Sequence, residues 1–371
     1  MTFIIKLLYQ CNLNCSYCYE KNTISKKTKL NLEQAKHIIK VTADFYHYKN
    51  PNEKLNYAWY GGEPMLKPLD FYKEIVAFQK NLFKNNENWS NGLQTNLVTL
   101  SENWISFLAD PENKFSIGVS YDFCDKNRSF ENGKNSDEIV LDNIEKLYNA
   151  GVDVTLLTTV NKNNIEKTDE ILKFLHQNDI SLRFTQLFYP HGDTTQVNRI
   201  KEVRESDENY IKFLSKIIVT WWKDDKTNSI VDNGYFSGNK LLKKDNKSIC
   251  WFSKECGKEF FGIEPNGDIY PCDLLFGSEY LYGNIFKDPF DKIANSPKRN
   301  KFNKRSDHIK KECAGCNYLE ICNGGCPGHA YGCNIDPMKK DPFCQIHKST
   351  FDQMKKLLVE DKIINEKSDL L

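Results

Sequence analysis

The residues best equipped for chemistry in this 371-residue chain are its thirteen cysteines, and they are unevenly placed. Cys11, Cys15 and Cys18 fall on one short loop, Cys124 stands alone, and nine lie between Cys250 and Cys344. Three thiolates on one loop can grip one metal centre. A closed structural zinc site needs four ligands. Three thiolates on a [4Fe–4S] cluster leave one iron free to bind a small molecule. The C-x3-C-x2-C spacing is unusual for zinc, which favours closely spaced cysteine pairs. Three ordinary cysteines, or a zinc site completed from elsewhere, are the alternatives.

Eight of the later cysteines form a second set. Cys250 and Cys256 come first, then Cys272, then Cys313-x2-Cys316-x5-Cys322-x3-Cys326, and last Cys344. Eight thiolates make two four-ligand sites. Zinc and iron–sulfur clusters accept the same four thiolates, and spacing does not separate them. Cys124 and Cys333 are left over, and buried thiols outside either set are the plain reading for both. Outside the cysteines, Gly61-Gly62-Glu63-Pro64 joins two residues that permit close backbone approach to a carboxylate able to accept from an ammonium group. Its plainer reading is a tight turn that starts the next helix. Arg128 has the paired N–H donors that suit a carboxylate ligand, or an ion pair with Asp122 or Asp125.

These groups need a scaffold, and the first half of the chain supplies one. Strands are predicted at Phe3–Tyr9, Leu55–Tyr60, Gly92–Asn96, Phe115–Ser120, Val152–Thr159 and Leu182–Phe188, with amphipathic helices between them. Gly151 closes one helix in the C-terminal stop position. Repeated β–α units imply an α/β fold with a parallel sheet, and in such folds ligands gather at the carboxyl ends of the strands. The cysteine loop, Glu63, Ser120 and Arg128 all follow strand ends. Asp207–Lys223 reads as an amphipathic bridging helix, and Asn233–Gly238 as a turn-rich connector. Phe261–Glu264 and Asp268–Tyr270 form a hairpin around Pro265-Asn266-Gly267. Lys348–Ile363 reads as a final helix.

The triad spacing, with aromatic Tyr17 before Cys18, resembles the radical S-adenosylmethionine (SAM) superfamily. The resemblance implies a partial (β/α)6 barrel over 1–195, a bridge over 196–249, and a cluster that cleaves SAM to a 5′-deoxyadenosyl radical. It assigns Gly61, Gly62, Glu63 and Pro64 to SAM's amino group. Ser120 and Arg128 go to its carboxylate, and Val160 and Leu187 to the adenine pocket. The segment 123–127 is shorter than the family's usual loop. The later cysteines resemble the SPASM extension, placed at 250–346 and followed by a helix and tail at 347–371. By that resemblance one auxiliary [4Fe–4S] cluster takes Cys250, Cys256, Cys272 and Cys326. The other takes Cys313, Cys316, Cys322 and Cys344, giving three clusters in all.

Within this group the chain is similar to anaerobic sulfatase-maturating enzymes and to ribosomal-peptide maturases. The former share Gly-Gly-Glu-Pro, a Leu-Gln-Thr-Asn strand end and Tyr270-Pro271-Cys272-Asp273, and Asp273 is by that likeness the candidate base. Tyr19-Glu20 and Met65 depart from the sulfatase-maturase pattern of Phe-Tyr and Thr. The expected function is a ribosomal-peptide maturase that crosslinks or oxidises a peptide or protein residue. The alternative is a sulfatase maturase that converts Cys or Ser to formylglycine, and a multi-zinc binding module is a third reading.

Composition fits these readings. Forty per cent hydrophobic and 27% charged residues describe a globular chain. A net charge of +1 gives no electrostatic case for nucleic acid or membrane partners. No segment reads as a signal peptide, so a cytoplasmic location is expected, with metal binding rather than disulfides. No leader-recognition domain is expected ahead of the first strand. The basic stretch from Lys298 to Lys311 reads as a solvated face, or as a docking site for an acidic leader peptide or a reducing flavoprotein, and the expected electron donor is one such as flavodoxin or ferredoxin.

Overall fold

Each of the six predicted strands forms, two with the predicted boundaries, Leu55–Tyr60 and Phe115–Ser120, and four with boundaries moved by a few residues. The computed structural model describes residues 1–50, 52–84, 88–124, 126–178, 180–189, 194–224 and 250–364. The strands are β1 Thr2–Lys6, β2 Leu55–Tyr60, β3 Trp89–Thr95, β4 Phe115–Ser120, β5 Val154–Val160 and β6 Ser181–Gln186. Helices α1 Leu32–Lys49, α2 Leu69–Phe83, α3 Glu102–Ala109, α4 Asp137–Asn149 and α5 Thr168–Asn178 alternate with them. A capping box starts α1: Asn31 accepts from the Gln34 N–H and Gln34 accepts from the Asn31 N–H. Gly151, at φ +74°, ends the α4 segment as its left-handed stop.

The chain divides into two compact units. The first comprises Met1–Tyr121, Arg128–Val154 and Gly257–Lys301. In it β1, β2, β3 and β4 pair in parallel. The predicted hairpin forms as β7 Phe260–Ile263 and β8 Asp268–Tyr270, and β7 joins the free side of β1 in parallel. A short strand β9, Gly283–Asn284, pairs with β8, so the order is β4-β3-β2-β1-β7-β8-β9. The sheet buries one aromatic row, in which Phe3 stacks on Tyr57 and on Phe261.

The second unit comprises Asp122–Asn127, Thr155–Cys256 and Phe302–Leu371. Here β5 and β6 pair in parallel, with Val160 opposite Gln186. The predicted bridging helix forms over Asp207–Lys223 and is called α7, after α6 Thr194–Val203. It buries Tyr210, Phe213, Leu214, Ile217, Ile218 and Trp221, the predicted apolar face, and packs on the last helix. That last helix runs Cys344–Glu360, so it begins four residues earlier than predicted and carries Cys344 in its first position. The connector Asn233–Gly238 lies outside the described residues. Arg305 is a correction. It is 7% exposed rather than part of a solvated basic face, because its guanidinium donates to the carbonyls of Pro337, Gly324 and Lys339. Among the described residues no helix is long and apolar enough to cross a membrane.

Candidate active site and cluster-binding cysteines

The first site is built at the carboxyl ends of β1 to β4. β1 stops at Lys6 because the chain then turns outward into the cysteine loop, which β2's end grips. The Gly62 N–H donates to the Leu8 carbonyl (2.9 Å) and the Glu63 N–H to that of Gln10 (2.8 Å). A Cβ on Gly61 would lie 2.4 Å from the Leu8 carbonyl oxygen, and one on Gly62 2.0 Å from that of Gln10. The close approach these glycines permit is therefore that of the chain's own cysteine loop. Glu63 is buried, and its carboxylate accepts from the Met65 N–H, the Thr95 hydroxyl and the Asn96 N–H at 2.7–2.8 Å. Burial still wins, and pushes Glu63 up to about 7. The turn reading also holds, since Glu63 caps the short helical turn Pro64–Leu66.

Asn96, Arg128 and Tyr17 lie about the thiols of this loop. Cys11 Sγ accepts from the Leu13 N–H (3.4 Å) and faces Asn96 Nδ2 (3.7 Å). Arg128 Nη1 lies 3.9 Å from Cys15 Sγ, and the guanidinium stands over the Tyr17 ring. Burial pushes Cys11 up to about 12 and Cys18 up to about 11, and the neighbouring thiols add to both shifts. Such thiols become ligands only when a metal's positive charge stabilises their thiolates. The carboxylate of Asp122 accepts from the Thr159 N–H in the second unit, and Asp125 lies outside the described residues. Ser120 ends β4, half-buried, in the first unit. Val160 and Leu187 are buried in the second unit.

Sequence reasoning missed a buried charge cluster beside this loop. Lys6 is 2% exposed, and its ammonium lies 2.8 Å from Glu20 and 2.7 Å from Glu264. The Tyr9 hydroxyl donates to the other oxygen of Glu264 (2.6 Å). Burial alone would pull Lys6 down, but the two carboxylates hold it above an ordinary lysine. Asp273 shares this environment. Loss of hydration pushes it up to about 6, Lys6 pulls it back, and Glu20 and Glu264 push it further up. Its charge in turn acts on the phenols of Tyr19 and Tyr60. One glycine sets its place: a Cβ on Gly262 in β7 would lie 2.5 Å from the Cys272 carbonyl carbon. A glycine inside a predicted strand was the available signal. For Lys6 the signal was a cation inside an apolar run.

In the second unit Cys313, Cys316, Cys322 and Cys344 line one pocket, together with Asp341 and His347. Four thiols on one pocket are a donor set that zinc and an iron–sulfur cluster both accept. Cys326 is buried, and Cys256 lies close enough to raise its thiol further. Cys250 is exposed at the start of the helical turn Cys250–Phe252. Cys272 belongs to the first unit, beside Asp273. Cys124 is buried and Cys333 partly so.

The comparisons with known proteins bear on both cysteine sets. Residues 5–175 match the model of the radical SAM superfamily, and residues 250–317 match SPASM, an iron-sulfur cluster-binding domain. The cysteine-type anaerobic sulfatase-maturating enzyme of Clostridium novyi is 31% identical over 359 residues, spanning 92% of each chain. The chain belongs to the radical SAM superfamily, among its SPASM-domain enzymes. These domains imply iron–sulfur clusters and SAM. The serine-type enzyme of Bacteroides thetaiotaomicron is 28% identical, over 88% of this chain and 82% of that one. The solved structure of native anSMEcpe with bound AdoMet and Cp18Cys peptide is 25% identical. It superposes with a TM-score of 0.82, over 98% of this chain and 99% of that one. Streptococcus suis SuiB bound to S-adenosylmethionine is 18% identical with a TM-score of 0.65, over 93% of this chain and 77% of that one, a likeness of fold.

Proposed function

We propose that the enzyme is an anaerobic sulfatase-maturating enzyme, which oxidises a Cys or Ser side chain of a protein substrate to formylglycine. The observation that carries this reading is full-length likeness to such enzymes: 31% identity across 92% of both chains, with a peptide-bound relative superposing over 98% of this one. The ribosomal-peptide maturase expected first has the weaker support, since the likeness to SuiB is one of fold.

On this reading Cys11, Cys15 and Cys18 hold the SAM-binding cluster. Cys250, Cys256, Cys272 and Cys326 hold one auxiliary [4Fe–4S] cluster, and Cys313, Cys316, Cys322 and Cys344 the other. With SAM bound, the first cluster supplies a 5′-deoxyadenosyl radical. Glu63 and the Gly61–Pro64 turn receive SAM's ammonium; Ser120 and Arg128 receive its carboxylate; Tyr17, Val160 and Leu187 complete the pocket. An arriving ammonium would pull Glu63 down from about 7 and fix it ionised. Asp273 takes the substrate's thiol or hydroxyl proton. With that proton, one hydrogen atom would leave the substrate's CH2–X group for the 5′-deoxyadenosyl radical, and one electron would leave for an auxiliary cluster held by the Cys250–Cys344 set. What remains is an aldehyde from serine, or from cysteine a thioaldehyde that water converts to aldehyde and hydrogen sulfide. Burial puts Asp273 near 6, closer to neutral than an ordinary aspartate and better matched to that task. Electrons for SAM cleavage come from a reduced flavodoxin or ferredoxin in the cytoplasm.

The test is mass spectrometry of sulfatase-motif peptides, in Cys and Ser versions, after anaerobic turnover with SAM and dithionite. Aldehyde on either peptide is expected. Loss of two hydrogens as a crosslink on another peptide, with no aldehyde on these, would instead favour the ribosomal-peptide reading.

A further inference from the structure

Two histidines of the second unit converge on one carboxylate. Asp341 is 1% exposed, and its Oδ2 lies 2.9 Å from His329 Nδ1 and 3.1 Å from His347 Nε2. Both histidines are themselves buried. The same oxygen accepts from the Cys326 N–H (2.9 Å), and Oδ1 accepts from the Phe343 N–H (2.8 Å). The residue's backbone completes the tie. Its N–H donates to the Gly324 carbonyl (2.7 Å), and its carbonyl accepts from the Cys344 N–H (3.2 Å). Gly325, at φ +68°, has no room for a Cβ, which would lie 2.4 Å from the Asp341 Cβ. Asp341 also lines the pocket of Cys313, Cys316, Cys322 and Cys344.

Cys326 belongs to one proposed auxiliary site, whereas Cys322 and Cys344 belong to the other. A single buried residue therefore docks a ligand segment of each. This arrangement costs more than a scaffold needs. An apolar residue would fill the same volume without burying a charge. What an apolar residue could not provide is a fixed negative charge next to two redox centres, which opposes adding an electron to either.

We propose that Asp341 is a positioning residue shared by the two auxiliary clusters, locking their ligand segments together and holding both reduction potentials down with one charge. The inference rests on the reading that both auxiliary clusters are present. The test uses the full-length enzyme, reconstituted anaerobically, and begins with iron and sulfide content of the wild type. Zinc without sulfide there would overturn that reading and this proposal together. With three clusters confirmed, Asp341→Asn keeps the shape and removes the charge. Redox titration followed by electron paramagnetic resonance is expected to show both auxiliary midpoints moved positive, with the Cys11–Cys18 cluster unmoved. Two unmoved auxiliary midpoints, or a shift in only one, would overturn this proposal alone. In Asp341→Ala the iron of both auxiliary sites is expected to be lost together; loss from one site alone would also overturn it.

Discussion

Each unit buries a carboxylate cluster beside its cysteines, and the two clusters are balanced in opposite ways. In the first, one ammonium, Lys6, serves Glu20 and Glu264 and acts on Asp273, so negative charge is in excess. Burial there pushes Glu63 up to about 7 and Asp273 up to about 6. In the second, a single carboxylate, Asp341, is met by two imidazoles and two backbone N–H groups, and is held low. An under-neutralised cluster leaves carboxyls able to trade protons near neutral pH. A fully satisfied one fixes a charge permanently. On the proposed function, the contrast sets carboxyls suited to proton transfer in the first unit against a carboxylate suited to holding ligand segments in the second.

The sharpest way to break this contrast is at Asp273. If it takes the substrate proton, Asp273→Asn should lower aldehyde formation by about 10²–10⁴-fold while SAM is still cleaved. Liquid chromatography of 5′-deoxyadenosine beside product mass spectrometry reads both. Equal loss of the two would make Asp273 a structural support for Cys272. Lys6→Met tests the charge balance itself. It leaves Glu20 and Glu264 buried without their cation, which should cost about 3–5 kcal/mol in a denaturant titration. Adding Glu264→Gln should recover part of that loss.

The smallest effect concerns Glu63. Its folded-state value of about 7 lies above the ordinary 4.5, so between these values the native chain holds a proton that the unfolded chain releases. The wild type should therefore lose about 3 kcal/mol relative to Glu63→Gln as pH rises from about 4.5 to about 7. Unfolding midpoints of metal-free protein at both ends of that window check it. A constant difference between the two proteins would show that Glu63 stays ionised throughout.

Much of the first region was legible because its signals are local. Period-two and period-3.6 patterns gave β1 to β6 and their helices, and Pro265-Asn266-Gly267 gave the hairpin turn. Strand ends were less legible. β1 stops at Lys6 rather than Tyr9 because Leu8 and Gln10 spend their carbonyls on Gly62 and Glu63, contacts distant in sequence that no local pattern encodes. Arg305 misled for the same reason: among five nearby lysines and Arg299 it reads as surface, but its carbonyl partners come from distant turns. Asp341 was invisible, since an Asp-Pro pair between cysteines reads as a turn and its partners His329 and His347 follow no spacing rule. Residue type and spacing point to candidate metal ligands, because one metal centre constrains its ligands' chemistry. The charges that tune those ligands are fixed only by tertiary packing.

The claim that this enzyme oxidises a side chain of a protein substrate is tested most directly by labelling the hydrogen it removes. A sulfatase-motif peptide carrying deuterium on the β-carbon of its target cysteine or serine would be turned over anaerobically with SAM. Deuterium should appear in 5′-deoxyadenosine, in step with aldehyde on the peptide. Unlabelled 5′-deoxyadenosine, formed from both peptides without aldehyde, would contradict the account.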